Sequence, residues 1–186
     1  MVRTVSTMVS LGMSAPRFCL EDVVSGQQVA LEENPACKAT VIMFICNHCP
    51  YVKHANVGIV PLAKDYEAKG VRFIAINSND VSQYPDDSPQ HMKETALACG
   101  YTFPYLFDET QEVARAYQAA CTPDFYVFDT GLNLAYRGQL DDSRPGSDLL
   151  VTGQSIRDVL DALLAGRRVA TEQKPSLGCN IKWKDV

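Results

Sequence analysis

The sequence of 186 residues lacks several features that would place it in common protein classes. It contains no run of the roughly 18 consecutive apolar residues that a membrane-spanning helix needs. Lysine and arginine total 17 against 22 acidic residues, and the formal net charge is -5. The basic residues are dispersed and form no stripe interleaved with aromatic residues, which argues against a surface for nucleic acid. We therefore expect a protein that binds neither nucleic acid nor a membrane.

A continuous hydrophobic segment is also missing from the first 13 residues, so they make a poor signal peptide. Seven cysteines are many for this length, but an odd number spread along a core-forming chain does not indicate a framework of structural disulfides. This cysteine usage fits a reducing compartment with one working pair. We expect a cytoplasmic protein.

The apolar patterning predicts one α/β domain over residues 1–186, because no repeat, low-complexity tract or linker divides the chain. Apolar runs at 40–45 and 71–76 predict buried strands, and apolar residues at helical spacing predict a helix over 50–69 between them. Such a unit folds as a right-handed parallel crossover. The other predicted elements are a β-hairpin at 18–31, a surface loop at 78–88, helices at 89–99, 111–117 and 155–164, and strands at 105–107, 125–128 and 134–137.

Two cysteines separated by two residues lie where the strand at 40–45 gives way to the following helix, in the motif Cys46-Asn47-His48-Cys49. The N–H groups and partial positive charge at a helix N-terminus stabilise a thiolate, so we predict a lowered pKa for Cys46. Cys49, one turn later, can attack a mixed disulfide formed at Cys46 and release the reduced partner. This position predicts a redox-active pair.

Alternatives for the same residues remain open at this stage. Cys46 and Cys49 can instead be two buried core thiols or half of a zinc site, although zinc needs two further ligands, which only Cys121, Cys179 and the three histidines can supply. His48 lies between the two cysteines, where an imidazolium would tune their reactivity. It can also be a solvent-exposed residue at the helix start.

The order of strand, cysteine pair, helix and a later strand introduced by Cys121-Thr122-Pro123 resembles the thioredoxin superfamily over a core of about 15–165. More narrowly, the motifs at 46–53, 121–125 and 178–183 are similar to redoxin-domain proteins of the alkyl hydroperoxide reductase and thiol-specific antioxidant type. The resemblance implies a thioredoxin-like α/β fold. Its central mixed sheet is flanked by helices, with an N-terminal β-hairpin before it and a C-terminal tail at 166–186.

The resemblance also implies roles for residues outside the cysteine pair. Pro123 would be a cis-proline facing the pair, and the backbone of Thr122 would hydrogen-bond an extended substrate segment. Two other cysteines are candidates because of their positions in this sequence. Cys121, two residues before Pro123, can be an additional redox or metal-binding thiol, or a packing residue. Cys179 on the tail can be a third resolving cysteine if the tail folds back, or else a surface cysteine. The activity implied is thiol–disulfide exchange with a protein or small-molecule disulfide or thiol, and it requires no bound cofactor or metal.

Departures from these families leave alternative functions open. Thr40 stands where thioredoxins commonly have a buried aspartate, so the proton acceptor of Cys49 is unidentified. Aligned with peroxiredoxins, Cys49 and the proline after it match the peroxidatic cysteine, while Cys46 takes the place of a threonine. The arginine that assists peroxide cleavage there would fall near Pro123, where the sequence has none. A thiol peroxidase using Cys49 and a Cys/His metal-binding protein are therefore the alternatives to thiol–disulfide exchange.

Overall fold

The structure, a computed structural model, describes residues 3–185 and builds them around one central sheet. In chain order the elements are β1 (Arg3–Val5), β2 (Cys19–Glu21), β3 (Gln28–Ala30), β4 (Ala39–Phe44), α1 (Pro50–Glu67), β5 (Val71–Asn77), a 3-10 turn (Pro85–Asp87), α2 (Pro89–Cys99), β6 (Tyr105–Phe107), α3 (Glu112–Ala116), β7 (Cys121–Thr122), β8 (Asp124–Phe128), β9 (Leu134–Gly138), α4 (Gln154–Leu164) and β10 (Leu177–Asn180). These boundaries agree with most of the elements predicted from the sequence.

The central sheet has five strands in the order β6-β5-β4-β8-β9. β4 pairs parallel with β5 and antiparallel with β8, which makes the sheet mixed as predicted. All six residues of β4 are buried, as expected for a central strand covered on both faces. The parallel pair β4 and β5 with α1 between them is the crossover that the apolar periodicity indicated.

Helices cover both faces of this sheet. Successive residues of a strand point to opposite faces, so each strand contributes side chains to both layers of the core. Phe125 and Val127 of β8 belong to a core layer that includes apolar residues of α1, α2 and α4. Tyr126 and Phe128 face the other layer, which includes α3 and the N-terminal segment. Within residues 3–185, none of the helices combines the length and apolar character that crossing a bilayer requires.

Two segments differ from the sequence-based predictions. The polar segment at 78–88 is not a surface loop throughout, since Asp87 is fully buried and Ser78, Asn79 and Asp80 are nearly so. The C-terminal segment is not simply a polar tail, because β10 lies between β1 and β7 in a second sheet. Both differences arise from partners distant in sequence, which local patterning does not reveal.

Candidate functional site

The cysteine pair lies where β4 ends and α1 begins. Cys49 is the N-cap residue of α1, and Pro50 is the first residue of that helix. Cys46 precedes the cap in the connecting turn, and its side chain is buried with a relative exposure of 2%, against 0% for Cys49. The predicted strand-to-helix position of the pair is therefore confirmed, whereas both sulfurs are covered by other segments.

Thr122, which precedes Pro123, contacts both sulfur atoms. The peptide bond between these two residues is cis, as the resemblance implied. Cys46 Sγ lies 3.2 Å from Thr122 Oγ1, and Cys49 Sγ lies 3.2 Å from the carbonyl oxygen of Thr122. The last residue of β7 thus contacts both thiols.

Negative charge is best stabilised on Cys49 rather than on Cys46. A hydrogen bond from Cys46 lowers the pKa of Cys49 to about 5, and although burial opposes this effect, the Cys179 thiol and the backbone N–H groups of Val52 and Cys179 add to it. Cys49 Sγ also donates a hydrogen bond to the carbonyl oxygen of Thr122, a contact that only the protonated thiol can make. Cys49 is the N-cap residue of α1, where the partial positive charge of the helix N-terminus stabilises a thiolate.

The predicted lowering of the pKa of Cys46 is wrong. Its hydrogen bond with Cys49 raises the pKa of Cys46, and burial and the nearby carboxylate of Asp87 raise it further. The physical reason is the starting point of α1, since Cys49 and not Cys46 occupies the cap. Cys46 is therefore the proton donor of the pair and Cys49 the acceptor.

A buried carboxylate, Asp87, organises the turn that carries the cysteines. Asp87 Oδ1 accepts hydrogen bonds from the backbone N–H groups of Asn47 and His48, at 2.8 and 3.4 Å. Asp87 Oδ2 lies 2.6 Å from His48 Nδ1 and 2.7 Å from Asn79 Nδ2. Because an ionised carboxylate only accepts, Nδ1 of His48 carries the proton in this contact. The four hydrogen bonds compensate the charge of this buried group.

His48 is not a solvent-exposed residue at the helix start. Its ring stacks on Tyr84, with ring centroids 5.5 Å apart, and its side chain is 15% exposed. Nε2 of His48 is buried and has no hydrogen-bond partner among the atoms of residues 3–185. Its position between the cysteines and Asp87 is consistent with the tuning role predicted for it.

Three potential metal ligands also come together here. One ligand atom each from Cys46, His48 and Asp87 lies within 4.8 Å of the others. The carboxylate of Asp87 already accepts four hydrogen bonds, so its charge is compensated without a cation. This group differs from the metal-ligand sets considered from the sequence, which lacked Asp87.

The two additional cysteines named from the sequence occupy different environments. Cys179, on β10, is 4% exposed, and its Sγ lies 2.9 Å from Cys49 Sγ, so the alternative of a surface cysteine is wrong. Cys121 Sγ lies 3.7 Å from the carbonyl oxygen of Pro123, and burial raises the pKa of its thiol. All seven cysteines are present as thiols.

The backbone of Thr122 does not present an open edge to an extended substrate segment. β10 pairs antiparallel with β7, with Cys179 opposite Thr122 and Asn180 opposite Cys121. The C-terminal strand of the same chain thus occupies the edge that the resemblance assigned to a substrate. Thr122 still contacts both cysteines, so its placement beside the pair agrees with the prediction.

Sequence reasoning missed Asp87 as a residue of this site. It lies in a proline-rich polar segment, about 40 residues from the cysteines, and such segments are usually exposed. Thr40 stands at the position where thioredoxins have a buried aspartate, so that position supplies no carboxylate. The carboxylate next to Cys46 and His48 comes from Asp87 instead. No local signal in the sequence separates Asp87 from its exposed neighbour Asp86.

Comparisons with solved structures agree closely with this fold. An uncharacterized conserved protein from Geobacillus kaustophilus is 61% identical, with a TM-score of 0.97, and the match covers 100% of this chain and 98% of that chain. A hypothetical protein from Sinorhizobium meliloti is 43% identical, with a TM-score of 0.95, and the match covers 98% of this chain and 100% of that chain. No match is found among the curated proteins.

More distant likeness identifies the fold class. The thioredoxin domain of a thiol-disulfide oxidoreductase from Bacteroides vulgatus is 14% identical, with a TM-score of 0.60, and the match covers 82% of this chain and 99% of that chain. At this identity the likeness concerns the fold alone. The sequence profile of the AhpC/TSA family matches residues 11–137, which include both active-site cysteine candidates and the Thr122-Pro123 turn. The chain belongs to the AhpC/TSA family and has a thioredoxin-like fold, as the resemblance of its motifs implied.

Proposed function

We propose that the protein is a thiol–disulfide oxidoreductase whose redox couple is Cys46 and Cys49. One observation carries the proposal. Both thiols lie at the N-terminal end of α1, and each sulfur contacts an atom of Thr122 at 3.2 Å. Family membership and the thioredoxin-like fold support a thiol-based reaction. No bound cofactor is part of the proposal.

The distribution of charge supports an order of attack opposite to the one predicted from the sequence. The Cys49 thiolate attacks one sulfur of a substrate disulfide, forms a mixed disulfide and releases the other substrate sulfur as a thiolate. Cys46 then loses its proton and attacks the sulfur of Cys49. This step forms the Cys46–Cys49 disulfide and releases the second substrate thiol.

His48 and Asp87 provide a route for the proton that Cys46 must lose. One ligand atom each of His48 and Asp87 lies within 4.8 Å of Cys46 Sγ, and the Asp87 carboxylate fixes the imidazole through Nδ1. An imidazole that a carboxylate orients in this way is a suitable general base. In this proposal His48 assists Cys46, and Thr122 with Pro123 keeps the two sulfurs aligned.

The covered edge of β7 bears on the kind of substrate. Because β10 already pairs with β7 at Thr122, an extended protein segment cannot pair with this edge unless β10 moves. A small-molecule disulfide such as glutathione disulfide needs less space. Since Cys46 and Cys49 are almost fully buried, even this substrate reaches Cys49 Sγ only when a neighbouring segment opens.

A redox titration tests the proposal. In glutathione buffers of increasing oxidising strength, we expect the reduced protein to convert to a Cys46–Cys49 disulfide in one cooperative two-electron step. Stabilising the Cys49 thiolate stabilises the reduced form, so we expect a potential above thioredoxin's value of about -270 mV. Alkylation followed by mass spectrometry measures the oxidised fraction. A chain in which these two cysteines never join at any potential contradicts the proposal.

Peroxidase activity at Cys49 is a second candidate, and the lowered pKa of this thiol is the observation that favours it. Cys49 thiolate would attack one oxygen of a peroxide, giving a sulfenic acid and water or an alcohol, and Cys46 would condense with it to a disulfide and water. The pocket beside Pro123 includes Arg144, but its guanidinium donates to the Asp141 and Ser143 carbonyls and to Gln139. These contacts engage three of its five N–H donors with residues 139–143 of its own segment.

Stopped-flow oxidation by hydrogen peroxide distinguishes this candidate. If Cys49 is peroxidatic, the rate rises with pH as the thiolate forms, passes its midpoint near pH 5 and is constant around neutrality. A normal cysteine thiol, with a pKa near 8.5, would still gain rate above neutral pH. Oxidation no faster than that of free cysteine at equal thiolate fraction would exclude the peroxidase.

A further inference from the structure

β10 brings a third thiol to the cysteine pair. The strand lies between β1 and β7, with Cys179 opposite Thr122, so it is fixed on both sides by strand pairing. Gly178 makes this close approach possible, because a Cβ atom at that position would overlap with the carbonyl group of Thr122. The position of Cys179 therefore follows from the strand register.

The distance between the sulfurs of Cys49 and Cys179 is 2.9 Å. A disulfide bond measures about 2.05 Å, so the two atoms need to approach by only about 0.9 Å to bond. The two thiols are held in contact, and Cys49 also hydrogen-bonds with Cys46. Cys49 is thus the central member of a cluster of three thiols.

We propose that Cys179 is a second resolving cysteine, which competes with Cys46 for the sulfur of Cys49 and gives the oxidised protein a Cys49–Cys179 disulfide. The inference rests on the proposed redox function of Cys49 and adds a residue to it. It assigns the C-terminal strand a chemical role.

The disulfide forms by two balanced routes. Starting from a mixed disulfide between Cys49 and a small thiol, the Cys179 sulfur loses its proton, attacks Cys49 Sγ and expels the small thiol. Starting from the Cys46–Cys49 disulfide, Cys179 attacks Cys49 Sγ, the bond to Cys46 breaks, and the proton passes from Cys179 to Cys46. The second route is an exchange in which nothing is oxidised or reduced overall.

Proton transfer between the two outer thiols is compatible with their surroundings. Burial raises the pKa of Cys179 to about 12, and the hydrogen bond with Cys49 adds to the effect. The pKa of Cys46 is raised as well. Both outer cysteines therefore favour the protonated thiol, and whichever of them attacks Cys49 can pass its proton to the sulfur that leaves.

Moving the disulfide to Cys179 has a structural consequence. A Cys49–Cys179 bond fastens β10 to the start of α1 and so covers Thr122 covalently. At the same time Cys46 returns to the thiol form next to His48. The exchange thereby converts a form in which β10 is held by strand pairing alone into a closed form in which a disulfide joins β10 to the start of α1.

The Cys46→Ser variant tests the inference. After incubation of the full chain with glutathione disulfide, we expect a single intramolecular disulfide that joins the peptides containing Cys49 and Cys179. The Cys46→Ser, Cys179→Ser double variant should instead retain glutathione on Cys49. The Cys46→Ser, Cys121→Ser double variant is the matched control and should still form the bond, because Cys121 is a buried thiol directed to Pro123.

The unsubstituted chain provides a second measurement. After oxidation and alkylation in acid, we expect two populations, one with Cys179 alkylated and one with Cys46 alkylated. Persistent glutathione on Cys49 in the Cys46→Ser variant, or alkylation confined to Cys179 in the unsubstituted chain, would overturn the role of Cys179. Either result leaves the proposed function intact if the Cys46–Cys49 disulfide forms, whereas absence of any disulfide at Cys49 contradicts both.

Discussion

Replacing Cys49 with serine is expected to reduce turnover of a model disulfide to the rate of the solution without protein. Cys49 is the sulfur that both Cys46 and Cys179 contact, so every disulfide in the proposed reaction includes it. It is also the position at which α1 and its N–H donors stabilise a thiolate. A fluorescent glutathione disulfide reports the rate directly.

Two further variants make this expectation specific. Cys19→Ser is the control, because Cys19 is an exposed thiol on β2 outside the site, and its turnover should match that of the unsubstituted chain. The Cys46→Ser, Cys179→Ser double variant keeps the nucleophile without either resolving thiol and should accumulate a mixed disulfide at Cys49. If Cys49→Ser accumulated a mixed disulfide at Cys46 instead, the order of attack predicted from the sequence would be restored.

Replacing Asp87 with alanine is expected to destabilise the protein by about 3 to 5 kcal/mol, the cost of removing one member of a buried charged network. The substitution leaves the Nδ1 proton of His48, the backbone N–H of Asn47 and the amide of Asn79 without their acceptor. For a chain of this size, that loss corresponds to a decrease in Tm of about 6 to 20 °C. Urea unfolding of the reduced protein measures the free energy.

Asp86→Ala is the matched control for this substitution. Asp86 is adjacent to Asp87 and is exposed, and its replacement by alanine removes the same charge. We expect a change within about 0.5 kcal/mol, typical of an exposed surface position. Similar stabilities of the two variants would show that the hydrogen bonds of Asp87 do not hold the turn.

Asp87→Asn should also lower the pKa of Cys46, since it removes the carboxylate charge that raises it.

Elements formed from contiguous residues were predicted accurately. The boundaries of β4, α1 and β5 followed from apolar runs and helical spacing, and the β2–β3 hairpin followed from a polar turn between apolar segments. Burial of a strand or of one helix face leaves its own periodic pattern in the residues concerned. The family motifs at 46–53 and 121–125 added the cis bond before Pro123.

Elements stabilised by distant partners were not predicted. β1, β7 and β10 have only three, two and four residues, and β10 pairs with each of the other two. Asp87 is buried because the turn of Asn47 and His48 supplies its hydrogen-bond donors. Neither circumstance produces a period or motif in the local sequence.

The sequence by itself determined the thioredoxin-like core and the identity of the two cysteines at the junction of β4 and α1. Tertiary contacts set the direction in which each pKa moves, since the hydrogen bond between the two thiols lowers the pKa of Cys49 and raises that of Cys46, and burial and the carboxylate of Asp87 raise the pKa of Cys46 further. Folding also brings Cys179 into the cluster, because the pairing of β10 with β7 places it beside Cys49, a residue 130 positions earlier in the chain. Reactivity depends on atoms within a few ångströms, and folding brings those atoms together from segments that share no local pattern.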